Sequence, residues 1–272
     1  MLNIETLTPV IEDCAPGCVP EHIMGQTTPV VLKGLVRNWK LTGLGKSSDL
    51  EAVNYLKSHY NGRPSHAYIG EPGLDGHFFY DEQVTRLNYE NRQVQIDELL
   101  DAILSAKELA RPPSYYVASN VIHTHFPTLR EENDLSLPRP QLDYQAEENR
   151  VSIWIGNKTL SACHYDASDN LACCVAGHRR FTLFPPDQIA NLYPGPIELT
   201  PGGQAISMVN FKNPDLNKYP DFPKAIAAGQ IAELDPGDAL YLPSMWWHQV
   251  ESLDPFNILI NYWWSEAPRF TG

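Results

Sequence analysis

SACHYDASDNLACCVAGHRRFTLFPP, residues 161–186, decides how the rest of this chain is read. At its centre stand His164 and Asp166, with Tyr165 between them. The side-chain repeat of an extended strand is two, so the imidazole and the carboxylate leave the same face. Together they offer two ligands to a divalent metal. A second histidine would complete a two-His-one-carboxylate triad, which leaves positions open on Fe(II). His-x-Asp is short enough to arise by chance, and the surrounding sequence has to carry the case.

Of the nine histidines, His248 is best placed to be the third ligand. It sits in SMWWHQVES, after the turn Asp235-Pro236-Gly237-Asp238, at the opening of a new apolar run. A plain histidine satisfied by a backbone carbonyl is the competing reading at that position. His123-x-His125 could also present two ligands on one face, but it lacks a carboxylate two residues on, and the following Phe-Pro reads as loop. The tryptophans at 246, 247, 263 and 264 read as core rather than as a substrate platform.

Outward from this stretch the chain is mainly β. SYYVAS (114–119), VSIWI (151–155), NLACCV (170–175), RRFTLF (179–184), ALYL (239–242) and NILINYWW (257–264) are short β-branched and aromatic runs between turns. Such spacing suggests a sandwich or a closed barrel. The N-terminal part differs. PVVLKGL (29–35) reads as a strand, residues 49–60 as a helix capped by Asp49, and 96–109 as a helix with an apolar stripe. Residues 66–80 read as strands or a long hairpin. Residues 185–230, rich in Pro, Gly and Asn, form a long excursion between strands. The expected organisation is one domain over 1–272: an α/β cap to residue 110, then a β core over 111–267 carrying the 185–230 insertion.

Register predicts what faces the metal. A two-residue turn at Ala176-Gly177 pairs Val175 with His178 and Cys174 with Arg179. Arg179, rather than Arg180, then points inward beside Asn170, and a guanidinium held inside needs an anionic partner. A reversal at Asp254-Pro255 pairs Ser252 with Asn257, which sets His248 opposite Asn261 and Trp246 opposite Trp263. Of Tyr115 and Tyr116, on opposite faces, at most one can enter the pocket.

Composition narrows the function classes. The net charge of −13 argues against sequence-independent binding to nucleic-acid backbones. Hydrophobic content of 43% and charged content of 19% fit a folded globular chain. No apolar run is long enough for a membrane helix, and the opening MLNIETLTPVIEDCAPG lacks the pattern of a secretory signal. Five cysteines, an odd number, suggest reduced thiols and a cytoplasmic location. Cys14 and Cys18 read as loop thiols. Cys173 and Cys174 fall on opposite faces of one strand.

These motifs resemble a known family, the cupin-like JmjC oxygenases dependent on Fe(II) and 2-oxoglutarate, and among them the asparaginyl hydroxylases. The likeness runs through His164-Tyr165-Asp166, Asn170, GHRRFTLFPPDQ (177–188), LYP (192–194), NPD (213–215), PGDALYLP (236–243), WWH (246–248) and NYW (261–263). It implies a double-stranded β-helix of jelly-roll type with flanking N-terminal helices. It implies that His164, Asp166 and His248 hold Fe(II), and that 2-oxoglutarate and O2 are cosubstrates. By position, Arg179 stands where the family has a lysine for the distal carboxylate, and Ser161 where it has a threonine. Asn170, Asn261 and Tyr116 complete the implied cosubstrate pocket. Ser161 fits least, because its strand parity is opposite to that of His164. The implied reaction is hydroxylation of a C–H bond on a protein, peptide or small-molecule substrate. The alternatives are a metal cupin that does not use 2-oxoglutarate, or a non-catalytic metal-binding module. The sequence stops at Gly272, short of the helices through which the asparaginyl hydroxylases dimerise, so the resemblance leaves a homodimer open.

Overall fold

The computed structural model describes residues 2–138 and 150–265. Fourteen strands lie among them: β1 (Val10–Ile11), β2 (Val30–Leu32), β3 (Ser65–Gly70), β4 (His77–Phe78), β5 (Glu90–Val94), β6 (Ser114–Val121) and β7 (Arg150–Gly156), then β8 (Leu160–His164), β9 (Asp169–Ala176), β10 (Arg179–Phe184), β11 (Gln230–Leu234), β12 (Ala239–Leu242), β13 (Trp247–Ser252) and β14 (Asn257–Trp264). The large sheet runs β1-β2-β12-β9-β14-β7-β6-β3-β5 and the small sheet β11-β10-β13-β8-β4. From β7 onward the chain alternates between the sheets, except that β10 and β11 are neighbours. Four antiparallel strands on each side (β12-β9-β14-β7 and β11-β10-β13-β8) make a double-stranded β-helix. The fold is that of a cupin.

Alternation along the strands builds the two faces. Ala172, Cys174, Phe181, Leu183, Leu240, Leu242 and Leu259 meet between the sheets. Ile153, Ile155, Cys173, Val175, Ile258 and Ile260 face outward from the large sheet and are covered by N-terminal residues such as Leu56, Leu99 and Ile103. Three of these cover residues come from two helices, α2 (Asp49–His59) and α3 (Ile96–Ala106), which follow the shorter α1 (Lys40–Ser47). Adjacent Cys173 and Cys174 thus serve different cores. Burial pushes the Cys174 thiol up to about 12, so it packs as a neutral group. Cys14 is buried and Cys18 exposed, and neither is in a disulfide.

Several local expectations change. The N-cap of α2 is Ser48, whose hydroxyl accepts from the Glu51 amide; Asp49 is already inside the helix. β3 and β4 do not form a hairpin: β3 pairs with β5 and β6, and β4 with β8. The turn at Ala176-Gly177 does not pair its flanking strands either. β9 bonds to β12 and β14, and β10 to β11 and β13, so this turn crosses from one sheet to the other. Gly177 makes that crossing at φ +66, and a Cβ there would run into the Phe256 carbonyl and the Asn257 side chain. The reversal at Asp254-Pro255 is a second crossing: β13 pairs with β8 and β10, and β14 with β7 and β9. His248 is therefore opposite His164 and Leu183, while Asn261 is opposite Ser152 and Ala172. A short loop joins two paired strands in a meander, but in a jelly roll it also spans the gap between sheets, and loop length alone does not tell the two apart.

The 185–230 excursion holds a 3-10 turn (Pro186–Leu192) and the helix Phe222–Ala228. Phe211, Tyr219 and Phe222 pack with Phe184 and Trp247 on the outer face of the small sheet. Among the described residues, no helix is long and apolar enough to cross a membrane. The last two residues of the expected core, 266–267, lie outside the described residues.

Candidate metal centre

His164 closes β8 and Asp166 follows two residues later in a loop, so the carboxylate is not held by strand phase as expected. Three bonds from the turn after β12 hold that loop instead. The Ser244 amide donates to Asp169 Oδ1 at 2.9 Å, the Ser244 hydroxyl to the Ala167 carbonyl at 2.8 Å, and the Met245 amide to the Asp166 carbonyl at 2.8 Å. Met245 adopts φ +68 to make this contact. The same turn leads directly into β13, so one loop sets both Asp166 and His248.

The ligand atoms of His164, Asp166 and His248 all lie within 4.8 Å of one another. His164 and His248 are cross-strand partners with ring centroids 4.3 Å apart, and His248 Nε2 is 3.7 Å from Asp166 Oδ2. Each imidazole donates Nδ1–H to a backbone carbonyl two residues earlier, His164 to Ala162 (2.8 Å) and His248 to Trp246 (3.0 Å). Those bonds leave both Nε2 lone pairs free. Burial, with His164 alongside, holds the His248 imidazole down to about 4 despite the nearby carboxylate, so at neutral pH it is unprotonated. Two imidazole nitrogens and one carboxylate suit a first-row divalent ion such as Fe(II). His123 and His125, on the short helix Ile122–His125, are not part of this cluster.

A cavity of about 410 Å³ opens on these ligands. Tyr116, Ser161, Asn170 and Asn261 line it, and Tyr115 does not. The parity objection to Ser161 is removed by a bulge: His164 is opposite His248 and Ser161 opposite Val250, three residues against two. The extra residue in β8 returns Ser161 to the ligand face. Asn261 Nδ2 donates to Asn170 Oδ1 at 2.6 Å, leaving Asn261 Oδ1 without a partner among the described residues.

Arg179 is 1% exposed, in line along β10 with the inward Phe181 and Leu183. Burial pushes the Tyr116 hydroxyl up, while the nearby Arg179 guanidinium and Ser161 side chain pull it back, so the three groups lie side by side. Nε and Nη2 of Arg179 have no partner among the described residues. Arg180 points the other way, to Glu233 at 2.7 Å and Glu251 at 3.6 Å. Arg179 is interior, as parity predicts, although β9 and β10 do not pair: residues 174 and 179 point into the same interior from opposite sheets. A buried cation with two idle donors fits a carboxylate.

The chain belongs to the cupin-like domain family. The family model, described as "Cupin-like domain", matches residues 17–270. Similar relatives include lysine-specific demethylase JMJ31 of Arabidopsis thaliana, 36% identical over 42% of this chain and 20% of that protein. Human HSPB1-associated protein 1 is 40% identical over 41% of the chain and 23% of its own length. Mouse tRNA wybutosine-synthesizing protein 5 is 29% identical over 91% of the chain and 74% of its length. The chain thus matches about a fifth to a quarter of the first two relatives. Within this cupin-like fold, the resemblance to the JmjC type runs through the segments that carry the three ligands, the end of β8 with the loop after it and the start of β13.

The walls of the cavity were not read from the sequence. Tyr68, Phe78, Tyr89, Trp154 and Trp263 line it, and so does Arg150. Trp263 is therefore a pocket residue, whereas Trp246, Trp247 and Trp264 are buried in three separate cores. A signal was present in β7. Arg150, Ser152 and Trp154 share a strand parity, and Ser152 is the partner of Asn261, which puts all three on the inner face.

Proposed function

We propose that this protein is an Fe(II)- and 2-oxoglutarate-dependent oxygenase that hydroxylates a C–H bond. The observation that carries the reading is the His164–Asp166–His248 cluster on a cavity lined by Tyr116 and Phe181, with the buried guanidinium of Arg179 close behind Tyr116 and two of its donors without a partner among the described residues. A metal cupin without 2-oxoglutarate has no use for that cation.

In this reading His164 Nε2, Asp166 and His248 Nε2 hold the iron, and the carbonyls of Ala162 and Trp246 keep both rings in the ligating tautomer. Arg179 binds the distal carboxylate of 2-oxoglutarate, with the Tyr116 and Ser161 hydroxyls as further donors. Asn170 and Asn261 orient the cosubstrate's metal-side end, and the aromatic walls exclude water from it. When bound, the iron supplies the redox chemistry that couples O2 to the two organic substrates. Overall, R–H, 2-oxoglutarate and O2 become R–OH, succinate and CO2. The primary substrate is taken to be a protein side chain. Two relatives carry the names lysine-specific demethylase and tRNA wybutosine-synthesizing protein, which supports a macromolecular substrate without choosing between protein and nucleic acid.

The test is succinate formation by the purified chain given Fe(II), 2-oxoglutarate and air. Succinate above the metal-free and cosubstrate-free controls is expected, with +16 Da products in a host lysate. Absence of succinate with Fe(II) bound would overturn the assignment.

A further inference from the structure

Resting on that reading of the cavity, we propose that Arg150 anchors a carboxylate of the primary substrate, so that the enzyme selects an anionic group and rejects a cationic one. Among the described residues lining the cavity, Arg150 is the one lysine or arginine, and it shares that lining with His164 and Asp166. It is the cross-strand partner of Trp263, and its guanidinium carbon lies 4.8 Å from the Trp263 ring centroid. That contact occupies the aromatic face a substrate cation would use.

The guanidinium is held in place. Nη2 donates to Ser119 Oγ at 2.7 Å, and no other described residue accepts a hydrogen bond from it. Ser119 reaches Arg150 from an irregularity in β6 between Val117 and Asn120, and it adopts φ +51 to do so. A non-glycine residue in that conformation costs energy, and strand irregularities beside sites re-aim side chains. Asp166 is close enough to interact with Arg150 electrostatically but makes no hydrogen bond with it, and in the proposed enzyme its carboxylate belongs to the metal. The remaining donors of the fork are therefore unspent, over the Trp263 ring and on the cavity shared with His164 and Asp166. A planar fork over an indole suits a planar carboxylate on a flat or short substrate. A lysine or arginine side chain entering the same space would meet a fixed positive charge at the mouth.

The test uses the Mn(II)-loaded protein under nitrogen, with and without saturating 2-oxoglutarate, titrated calorimetrically with three probes of similar shape: phenylacetate, phenyl phosphate and benzylamine. A blocked tripeptide with a central glutamate forms a fourth arm, telling a protein-borne carboxylate from a free acid. Phenylacetate is expected to bind in the presence of 2-oxoglutarate, and Arg150→Gln to weaken it by about tenfold or more. Arg150→Lys is expected to fall between the two, and benzylamine to bind only once Arg150 is replaced. Phenyl phosphate binding through Arg150 more tightly than phenylacetate would overturn the carboxylate assignment. So would phenylacetate affinity unchanged in Arg150→Gln, no binding of phenylacetate, or benzylamine binding the wild type more tightly than phenylacetate. Mn(II) and 2-oxoglutarate binding are followed separately, so failure of the cosubstrate reading is not mistaken for failure at Arg150. Circular dichroism of each variant identifies any that fails to fold.

Discussion

His248→Ala is expected to lose stoichiometric Fe(II) and to cut turnover by more than about a hundredfold while the protein stays folded. Changing residues that merely orient metal ligands already costs about 10–100-fold. Here the ligand itself goes, from a position 3% exposed where no other described donor group stands ready to replace it. The fold survives because the inner apolar cluster of Phe181, Leu183, Leu240 and Leu259 does not include the histidine. His164→Ala and Asp166→Ala should behave alike, whereas His123→Ala and His125→Ala should keep their iron. Elemental analysis after anaerobic loading, with thermal unfolding run alongside, checks each. Full iron content in any of the first three variants would remove that residue from the ligand set.

Arg179→Ala is expected to raise the apparent constant for 2-oxoglutarate by about two to three orders of magnitude. Breaking one partner of a buried ion pair costs roughly 3–5 kcal/mol, and each 1.4 kcal/mol is tenfold. Nε and Nη2 of Arg179 are buried without a partner among the described residues, so a distal carboxylate bound there has most to lose. Arg179→Lys keeps the charge and loses the fork, and should fall well short of the alanine effect. Arg180→Ala should barely move the constant, since its contacts are Glu233 and Glu251 on the outer face. Titrating 2-oxoglutarate against succinate release in the three variants decides it. A large effect at Arg180 with none at Arg179 would place the cosubstrate elsewhere.

Much of this molecule could be read before its coordinates. RRFTLF, ALYL and NILINYWW are strands with the bounds expected, because β-branched and aromatic runs between turns leave little choice. The eventual partners of those strands were not legible. Both short loops, at 176–177 and 254–255, read as hairpins by length and composition, and both bridge the two sheets instead. Parity survives such an error and pairing does not, which is why Arg179 was assigned to the interior while His248 was given the wrong neighbour. The β8 bulge hid Ser161 for a related reason, since one inserted residue inverts every parity beyond it. Arg150 and the aromatic wall were missed because tryptophans in an apolar run look the same whether they fill a core or line a cavity. Distinguishing them needed the register of β7 against β14.

The measurement that bears most directly on the central claim is a calorimetric titration of 2-oxoglutarate into the wild-type chain under nitrogen, with and without Mn(II) in place of iron. In the proposed enzyme the two groups sit together, which makes their binding interdependent. The expected result is 2-oxoglutarate affinity at least about tenfold higher with the metal present, within the usual range of such coupling. Affinity that is the same in the two titrations, or no binding in either, would contradict a shared site built from His164, Asp166, His248 and Arg179.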